Sequence, residues 1–249
     1  MPAGYTHYVF GEQVLSQLDE NIKKRIMPYI DLYHIGIHGL DILFYYDVYK
    51  KNPVKSLGFG MHQLPATDFF KHAKELIKQD ATDATLAYTI GFITHFTLDS
   101  SLHPEIGVLE NTLSMTHSLL ESELDRELLV RVGRDPLTAN LTTHIHPDYT
   151  NAQVIAPFFD LKAEEIDKAL HDLLFILKWL VAPSKLKRSF VLSVMKLGGM
   201  YEEYKGLLIN YEKDEHAAND INHLIEMKDE AVPLAVSLIN EYVDHLDDD

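Results

Sequence analysis

The feature that most constrains the fold is one apolar stretch, residues 83–101, which contains the run AYTIGFITHFTLDSS. Apolar residues occupy almost every turn of this stretch, which predicts a central helix covered on most sides. We expect Pro104 to end that helix. His95, Asp99 and His103 are spaced four residues apart, so they would form one ridge on it. A charge among apolar neighbours needs a partner or a bound ion, and this ridge is therefore the first candidate site.

The other apolar residues recur mostly every three to four positions, which predicts an all-α protein, a bundle of several helices. Two short helical patches are expected within residues 30–50, a loop over 51–60 because of Pro53, Gly58 and Gly60, and an irregular stretch over 135–157. Residues 1–135 are interpreted as a metal-binding helical core, and residues 136–249 as a helical C-terminal part packing on the same domain. The remaining helices are predicted over residues 9–26, 67–79, 113–132, 163–181, 184–211 and 216–246.

Charge and composition exclude several classes of function. The chain has 22 Lys+Arg and 38 Asp+Glu, so its net charge is 22 − 38 = −16, which repels long nucleic acids. It has no cysteine, so disulfides and thiolate zinc sites are excluded, whereas its 14 histidines leave His with Asp or Glu as possible metal ligands. The N-terminus lacks a basic segment followed by an apolar one, and no apolar run is long enough to span a bilayer. We therefore expect a cytoplasmic protein with no transmembrane segment.

A histidine and an acid four residues apart on a helix share one face and are able to bind the same metal ion. Chance alone would give roughly two such pairs in this composition, so each pair is weak evidence by itself. Context favours the first two of the five pairs present, since the others fall in a proline-containing loop, on a charged face and in the tail. The five pairs are His95/Asp99, His117/Glu121, His144/Asp148, His216/Asp220 and His245/Asp249.

Several ordered segments together resemble a known family. They are GLDILFYY (39–46), the histidine at position 62, GFITHFTLDSSLHP (91–104) and THSLLESELD (116–125). Over about residues 5–130 this combination is similar to the zinc-dependent phospholipase C family, whose superfamily also includes P1-type nucleases. The resemblance implies an all-α fold, a cluster of two or three Zn²⁺ ions and hydrolysis of phosphodiester bonds.

Carried over position by position, the resemblance implies a ligand set and one catalytic residue. Asp41 would also orient or deprotonate the attacking water, and Asp99 would bridge two ions. In secreted members the amino group of the processed N-terminus is also a ligand. Here six residues precede His7, so His34 or His38 are candidates to replace it, although ordinary structural roles are favoured for both. The implied metal ligands are His7, Asp41, His62, His95, Asp99, His103, His117 and Glu121.

The predicted function is a metal-dependent phospholipase C-like hydrolase acting on a small phosphodiester or phospholipid. The negative charge of three carboxylates is smaller than the positive charge of three Zn²⁺ ions. The occupied site would therefore be positive inside an acidic protein, which suits a phosphate group. Two alternatives remain: a non-catalytic helical binding protein stabilised by metal, and a P1-like nuclease. KLKRS (185–189) is interpreted as the solvated start of a helix. Because the family's membrane-docking β-domain is missing, no specialised binding to a lipid surface is predicted.

Overall fold

The computed structural model of the protein describes residues 4–62 and 64–248. Within these ranges all regular structure is helical, so the predicted all-α fold is confirmed. Short 3-10 helices, including Gly39–Tyr45, connect several of the longer elements. The α-helices are α1 (Gly4–Gln17), α2 (Glu20–Ile26), α3 (Ile30–Gly36), α4 (Pro53–Met61), α5 (Ala66–Gln79), α6 (Ala84–Leu113), α7 (His117–Arg131), α8 (Tyr149–Ile155), α9 (Ala163–Leu180), α10 (Lys185–Leu197), α11 (Tyr201–Tyr204) and α12 (Ala218–Asp244).

The apolar helix α6 lies at the centre of the bundle. It is buried almost continuously from Ala84 to Leu98, and α1, α3, α5, α7 and α12 pack around it. One hydrophobic core extends from Tyr5 to Leu246 and includes residues from both sides of position 135. Among the described residues no helix is long and apolar enough to cross a membrane.

Two glycines allow α3 to cross α6 at very close range. A Cβ added to Gly36 would collide with the carbonyl oxygen of Tyr88, and one added to Gly91 would collide with the carbonyl oxygen of Tyr33. Backbone therefore packs on backbone at this crossing, which only glycine permits. The crossing fixes the end of α3, and the segment that follows it carries Asp41.

The segment before α5 departs from the predicted elements at two places. The single helix predicted over 9–26 is wrong, because Asp19 begins a new helix by accepting a hydrogen bond from the Asn21 N–H. The loop predicted over 51–60 is also wrong. Asn52 caps α4 through the Lys55 N–H, and Pro53 occupies the first turn, where its missing N–H costs nothing.

Pro104 does not end α6, contrary to the prediction. The helix continues to Leu113 and stops where Ser114 adopts a left-handed conformation with φ of 54°. Pro104 and Ser100, whose carbonyl would have bonded to residue 104, both line an open cleft. The proline ring is therefore accommodated at a surface rather than inside the packed core.

The helix predicted over 184–211 is interrupted at Gly198 and Gly199. Gly199 has a φ of 71°, which ends α10 and turns the chain into α11. Residues on both sides of this turn, Ala182, Val191, Met195 and Leu208, form a second, smaller hydrophobic cluster. Helix α10 therefore rests on its own small core at the edge of the bundle.

The glycine crossing leads to a stability prediction. Gly36→Ala should lower the free energy of unfolding by about 3 kcal/mol, because the new methyl group meets rigid backbone and the helices must separate. Chemical denaturation followed by circular dichroism measures this change.

Gly107→Ala is the matched control, since nothing lies within 4 Å of a Cβ built at that position of α6. It should raise the free energy of unfolding by about 0.5–1 kcal/mol through helix propensity. Equal effects of the two substitutions would contradict the close crossing.

Candidate metal centre

The predicted ridge on α6 forms the middle of a cluster of histidines and acids. The Asp99 carboxylate lies 3.3 Å from Nε2 of His95 and 3.5 Å from Nε2 of His103. His95 is buried, whereas His103 is about one third exposed. The ridge therefore leads from the core to the surface, as its four-residue spacing requires.

Helix α1 adds His7 to this ridge. Its Nε2 lies 3.2 Å from Oδ1 of Asp99, and its ring stacks on that of His95 with centroids 4.7 Å apart. The start of α1 is held by the buried Asp125 of α7, which accepts hydrogen bonds from the Tyr5 N–H and from both the N–H and the hydroxyl of Thr6. Asp125 thus positions the helix turn that carries His7.

Asp41 enters the cluster from the 3-10 helix Gly39–Tyr45. Gly39 has a φ of 54°, and a Cβ on it would collide with the His95 ring. This glycine therefore permits both the turn and the close approach to α6. His62, which ends α4, places Nε2 3.1 Å from Oδ1 of Asp41. The amide group of Asn52 donates to the Tyr46 carbonyl, which ties the start of α4 to the end of the Asp41 segment.

Helix α7 supplies the remaining two predicted ligands. Oε1 of the buried Glu121 lies 3.3 Å from Nε2 of His117 and 3.7 Å from Nε2 of His103. Glu110 contacts the other face of His117: its carboxylate accepts a hydrogen bond from the His117 N–H and lies 3.6 Å from Nδ1. Glu110 therefore orients the imidazole from outside the cluster, as acids behind metal-binding histidines commonly do.

The structure brings all eight predicted ligands into this one cluster. Ligand atoms of Asp41, His62, His95 and Asp99 lie within 4.8 Å of one another, and so do those of His103, His117 and Glu121. In the part of the chain that is described, Oε2 of the buried Glu121 has no hydrogen-bond partner, and the ion-pair partners of Asp41, Asp99 and Glu121 are histidines. This donor set of imidazoles and carboxylates fits zinc.

The acids and histidines shift one another's pKa values. Burial alone would raise the pKa of Glu121. The hydrogen bonds from His103 and His117 outweigh burial and lower this pKa to about 2. Burial lowers the pKa of His103, but the Glu121 and Asp99 carboxylates outweigh burial and raise it to about 9. The hydrogen bonds to Glu121 and Asp41 raise the pKa values of His117 and His62, respectively. The carboxylates therefore favour the protonated imidazole at these three histidines.

His34 and His38 lie in a neighbouring group of rings. Nε2 of His38 lies 2.7 Å from Nε2 of His144, and Nε2 of His34 lies 3.0 Å from Oε1 of Glu12. Burial lowers the pKa of His144 to about 3, so this buried pair is neutral, with one imidazole donating to the other. His34 and His38, the candidates to replace the N-terminal amino ligand, thus each contact a partner outside the eight-residue cluster.

Sequence reasoning missed Asp125 and Glu110. A signal for Asp125 was present, because it follows Glu121 by four residues and so shares its face of α7. Glu110 precedes His117 by seven residues across the turn at Ser114, and no helical spacing relates the two. Of the weaker pairs, Asp148 caps α8 through the Thr150 N–H, and Asp249 lies outside the described residues.

The cluster lies along a cleft of about 590 Å³ that opens to solvent. His62, His95, Asp99 and His103 line its polar part. The other walls are apolar and include Met61, Leu64, Phe69, Phe92, Phe96 and Phe158. A polar group bound at the cluster would therefore have room for an apolar substituent beside it.

Asp125 leads to a prediction about the link between α7 and α1. Asp125→Ala leaves two buried N–H groups and one hydroxyl without an acceptor, so it should lower the free energy of unfolding by about 2–4 kcal/mol. It should also weaken metal binding, because His7 loses its support. Denaturation and a metal-chelator competition titration measure the two effects.

Asp148→Ala is the control, since it removes an exposed helix cap far along the chain from the cluster. It should lower the free energy of unfolding by less than Asp125→Ala does, and it should leave metal affinity unchanged. Unaltered metal affinity in Asp125→Ala would show that this acid does not position His7.

Comparison with known proteins identifies the family. The model of the zinc dependent phospholipase C family matches residues 6–173, which is more than half of the chain and includes all eight predicted ligands. The match extends beyond residue 130, where the recognisable motifs end. Neither the curated proteins nor the solved structures contain a significant match to this sequence. Zinc dependence and a phospholipase C-like hydrolase activity follow from the family at this general level. The chain belongs to the zinc-dependent phospholipase C family.

Proposed function

We propose that the protein hydrolyses a small phosphodiester or a phospholipid, with two or three zinc ions held by the eight-residue cluster. The observation that carries the proposal is the convergence of three carboxylates and five imidazoles in one cluster, four residues of which line a cleft with apolar walls. Asp41, His62, His95 and Asp99, with His7, would hold zinc at one end. His103, His117 and Glu121 would hold it at the other.

Zinc bound at these residues would supply a nucleophilic water at neutral pH and positive charge for the phosphoryl oxygens. Asp41 would orient that water and accept its proton. The oxygen of that water would bond to phosphorus and the bond from phosphorus to the leaving alcohol oxygen would break. The proton accepted by Asp41 would pass through solvent to that alcohol oxygen. Since Asp41 is buried beside His62, its carboxylate is held in one place for this task.

The cleft favours a lipid over a nucleic acid as substrate. Three phenylalanines, Phe69, Phe92 and Phe96, lie beside the polar end of the cleft, where the tails or glycerol backbone of a lipid would pack. The net charge of −16 opposes a long polyanion. A P1-like nuclease and a non-catalytic zinc protein remain the alternatives, and each gives a different result below.

Asp41→Asn should lower kcat for phosphatidylcholine hydrolysis by about 10²–10⁴-fold, since the carboxamide cannot accept the proton of the attacking water. Steady-state assays on phosphatidylcholine and on single-stranded DNA, with zinc analysis of the purified protein, test this expectation.

Asp31→Asn is the control, because the Asp31 side chain is 45% exposed, lies ten residues earlier and pairs with His146 instead of the cluster. It should leave kcat unchanged. Faster cleavage of DNA than of phospholipid would favour the nuclease. Stoichiometric zinc without any hydrolysis would favour the non-catalytic protein. A chain that binds no zinc and keeps its fold in chelator would exclude all three zinc-dependent functions.

Zinc binding to the metal-free protein should release protons. His103 has a folded pKa of about 9, so below that pH its imidazole carries a proton that must leave before the nitrogen donates to zinc. Apparent zinc affinity should therefore rise as the pH is raised from about 6 to about 9. Competition with a coloured chelator across this range measures the slope, and His103→Asn should flatten it. A slope that is equal in the variant would argue against His103 as a ligand.

A further inference from the structure

A basic segment interrupts this acidic chain. From Leu173 to Tyr201 the sequence contains Lys178, Lys185, Lys187, Arg188 and Lys196 but no Asp or Glu, whereas the whole chain has a net charge of −16. The segment covers the end of α9 and all of α10. Most of it lies beyond residue 173, where the match to the family ends.

Two of these five cations have structural roles, and three are exposed. Arg188 donates to the carbonyl groups of Leu208 and Ile209, and Lys187 donates to that of Val181. Lys178, Lys185 and Lys196 have exposed side chains. These three define the positive part of the surface formed by α9 and α10.

Helix α10 is apolar on two opposite sides. Val191 and Met195 face inward to the small second core. Leu186, Phe190 and Leu197 follow the other side at helical spacing, and their exposed fractions are 84%, 58% and 90%. Few soluble helices carry such a stripe on the solvent side, because each exposed side chain forgoes the gain from burial.

The apolar stripe continues onto α9 through aromatic rings. Trp179 lies 5.8 Å from the ring of Phe190 and 6.2 Å from that of Phe175, which is 55% exposed. We call the resulting surface the α9–α10 face. It consists of Phe175, Lys178, Lys185, Leu186, Phe190, Lys196 and Leu197.

The α9–α10 face borders the candidate metal centre. A groove beside it is lined by Phe175, Trp179 and Met195 on one side and by Phe44 and Tyr49 on the other. The Phe44 ring stacks on that of His62, with centroids 5.7 Å apart. One aromatic ring therefore separates the groove from a proposed zinc ligand, and Tyr49, which is 66% exposed, extends the apolar surface on the same side.

We propose that the α9–α10 face docks onto the surface of a bilayer that contains anionic phospholipids. A helix with exposed Leu and Phe flanked by lysines lies in the interface, with its apolar residues among the acyl chains and its cations at the headgroups. The positive charge of this face, in a chain that otherwise repels anions, selects an anionic surface. Docking does not require turnover, so it is tested separately from the proposed hydrolysis.

Flotation of the full-length protein with phospholipid vesicles tests the proposal. The protein should bind vesicles of phosphatidylcholine with added phosphatidylglycerol more tightly than vesicles of phosphatidylcholine alone, and added salt should weaken the binding. The triple variant K178Q/K185Q/K196Q should lose about a hundredfold in affinity. The double variant L186S/L197S should lose roughly tenfold on the same vesicles.

The matched control is V132S/L234S, which removes two exposed apolar residues from α12 and from the turn after α7. It should bind vesicles as the wild type does. Hydrolysis of a short-chain, monomeric phosphatidylcholine should be equal in all variants, which separates loss of docking from damage to the cleft. Failure of that hydrolysis in the wild type would overturn the proposed function and leave the vesicle result standing.

Three results would overturn the docking proposal. One is absence of vesicle binding by the wild type, and another is equal binding to neutral and anionic vesicles. The third is a concentration-dependent dimer of the wild type that binds no vesicles and that the substitutions L186S/L197S dissociate. That result would assign the α9–α10 face to contact with a second copy of the chain.

Discussion

The Asp99 carboxylate is the interaction on which the architecture of the site depends. It lies on the central helix, where three imidazoles from two helices approach it at 3.2–3.5 Å. Burial opposes its charge, and the surrounding histidines reverse that effect and lower its pKa. A buried carboxylate without partners would be unfavourable in this position. The contact between His7 and Asp99 compensates the charge and joins α1 to α6 at this point. A bound cation such as zinc would compensate the same buried carboxylate charge.

Close backbone contact is the second requirement, and it explains the glycines in the segment HIGIHGLD. Gly36 lets α3 cross α6, and Gly39 lets the following turn pass the ring of His95. Asp41 reaches the cluster only because both approaches are made without a Cβ. The motif thus combines a packing function at Gly39 with a ligand function at Asp41, two positions later.

Much of the fold and the site could be predicted from the sequence where local spacing controls the result. The all-α fold, the burial of α6 and the ridge of His95, Asp99 and His103 follow from helical periodicity alone. The positions of His7, Asp41 and His62 depended on family resemblance, since no local pattern joins elements so far apart. Helix α4 and the continuation of α6 past Pro104 were missed because a cap at Asn52 and an open cleft outweigh the usual effect of proline. Asp125 and Glu110 act on other residues rather than on the cleft, so a search for ligands passed over them.

The hydrogen bonds between Asp125 and Thr6 also bear on how the protein is made. They join positions 119 residues apart, and they hold the helix that contributes the first histidine of the site. During synthesis α1 leaves the ribosome early but lacks this anchor until α7 has followed. Closing so long a loop is slow compared with forming the helices themselves. The nascent chain therefore carries an unassembled site until α7 has been synthesised, and zinc capture at full affinity comes only after α1 has docked.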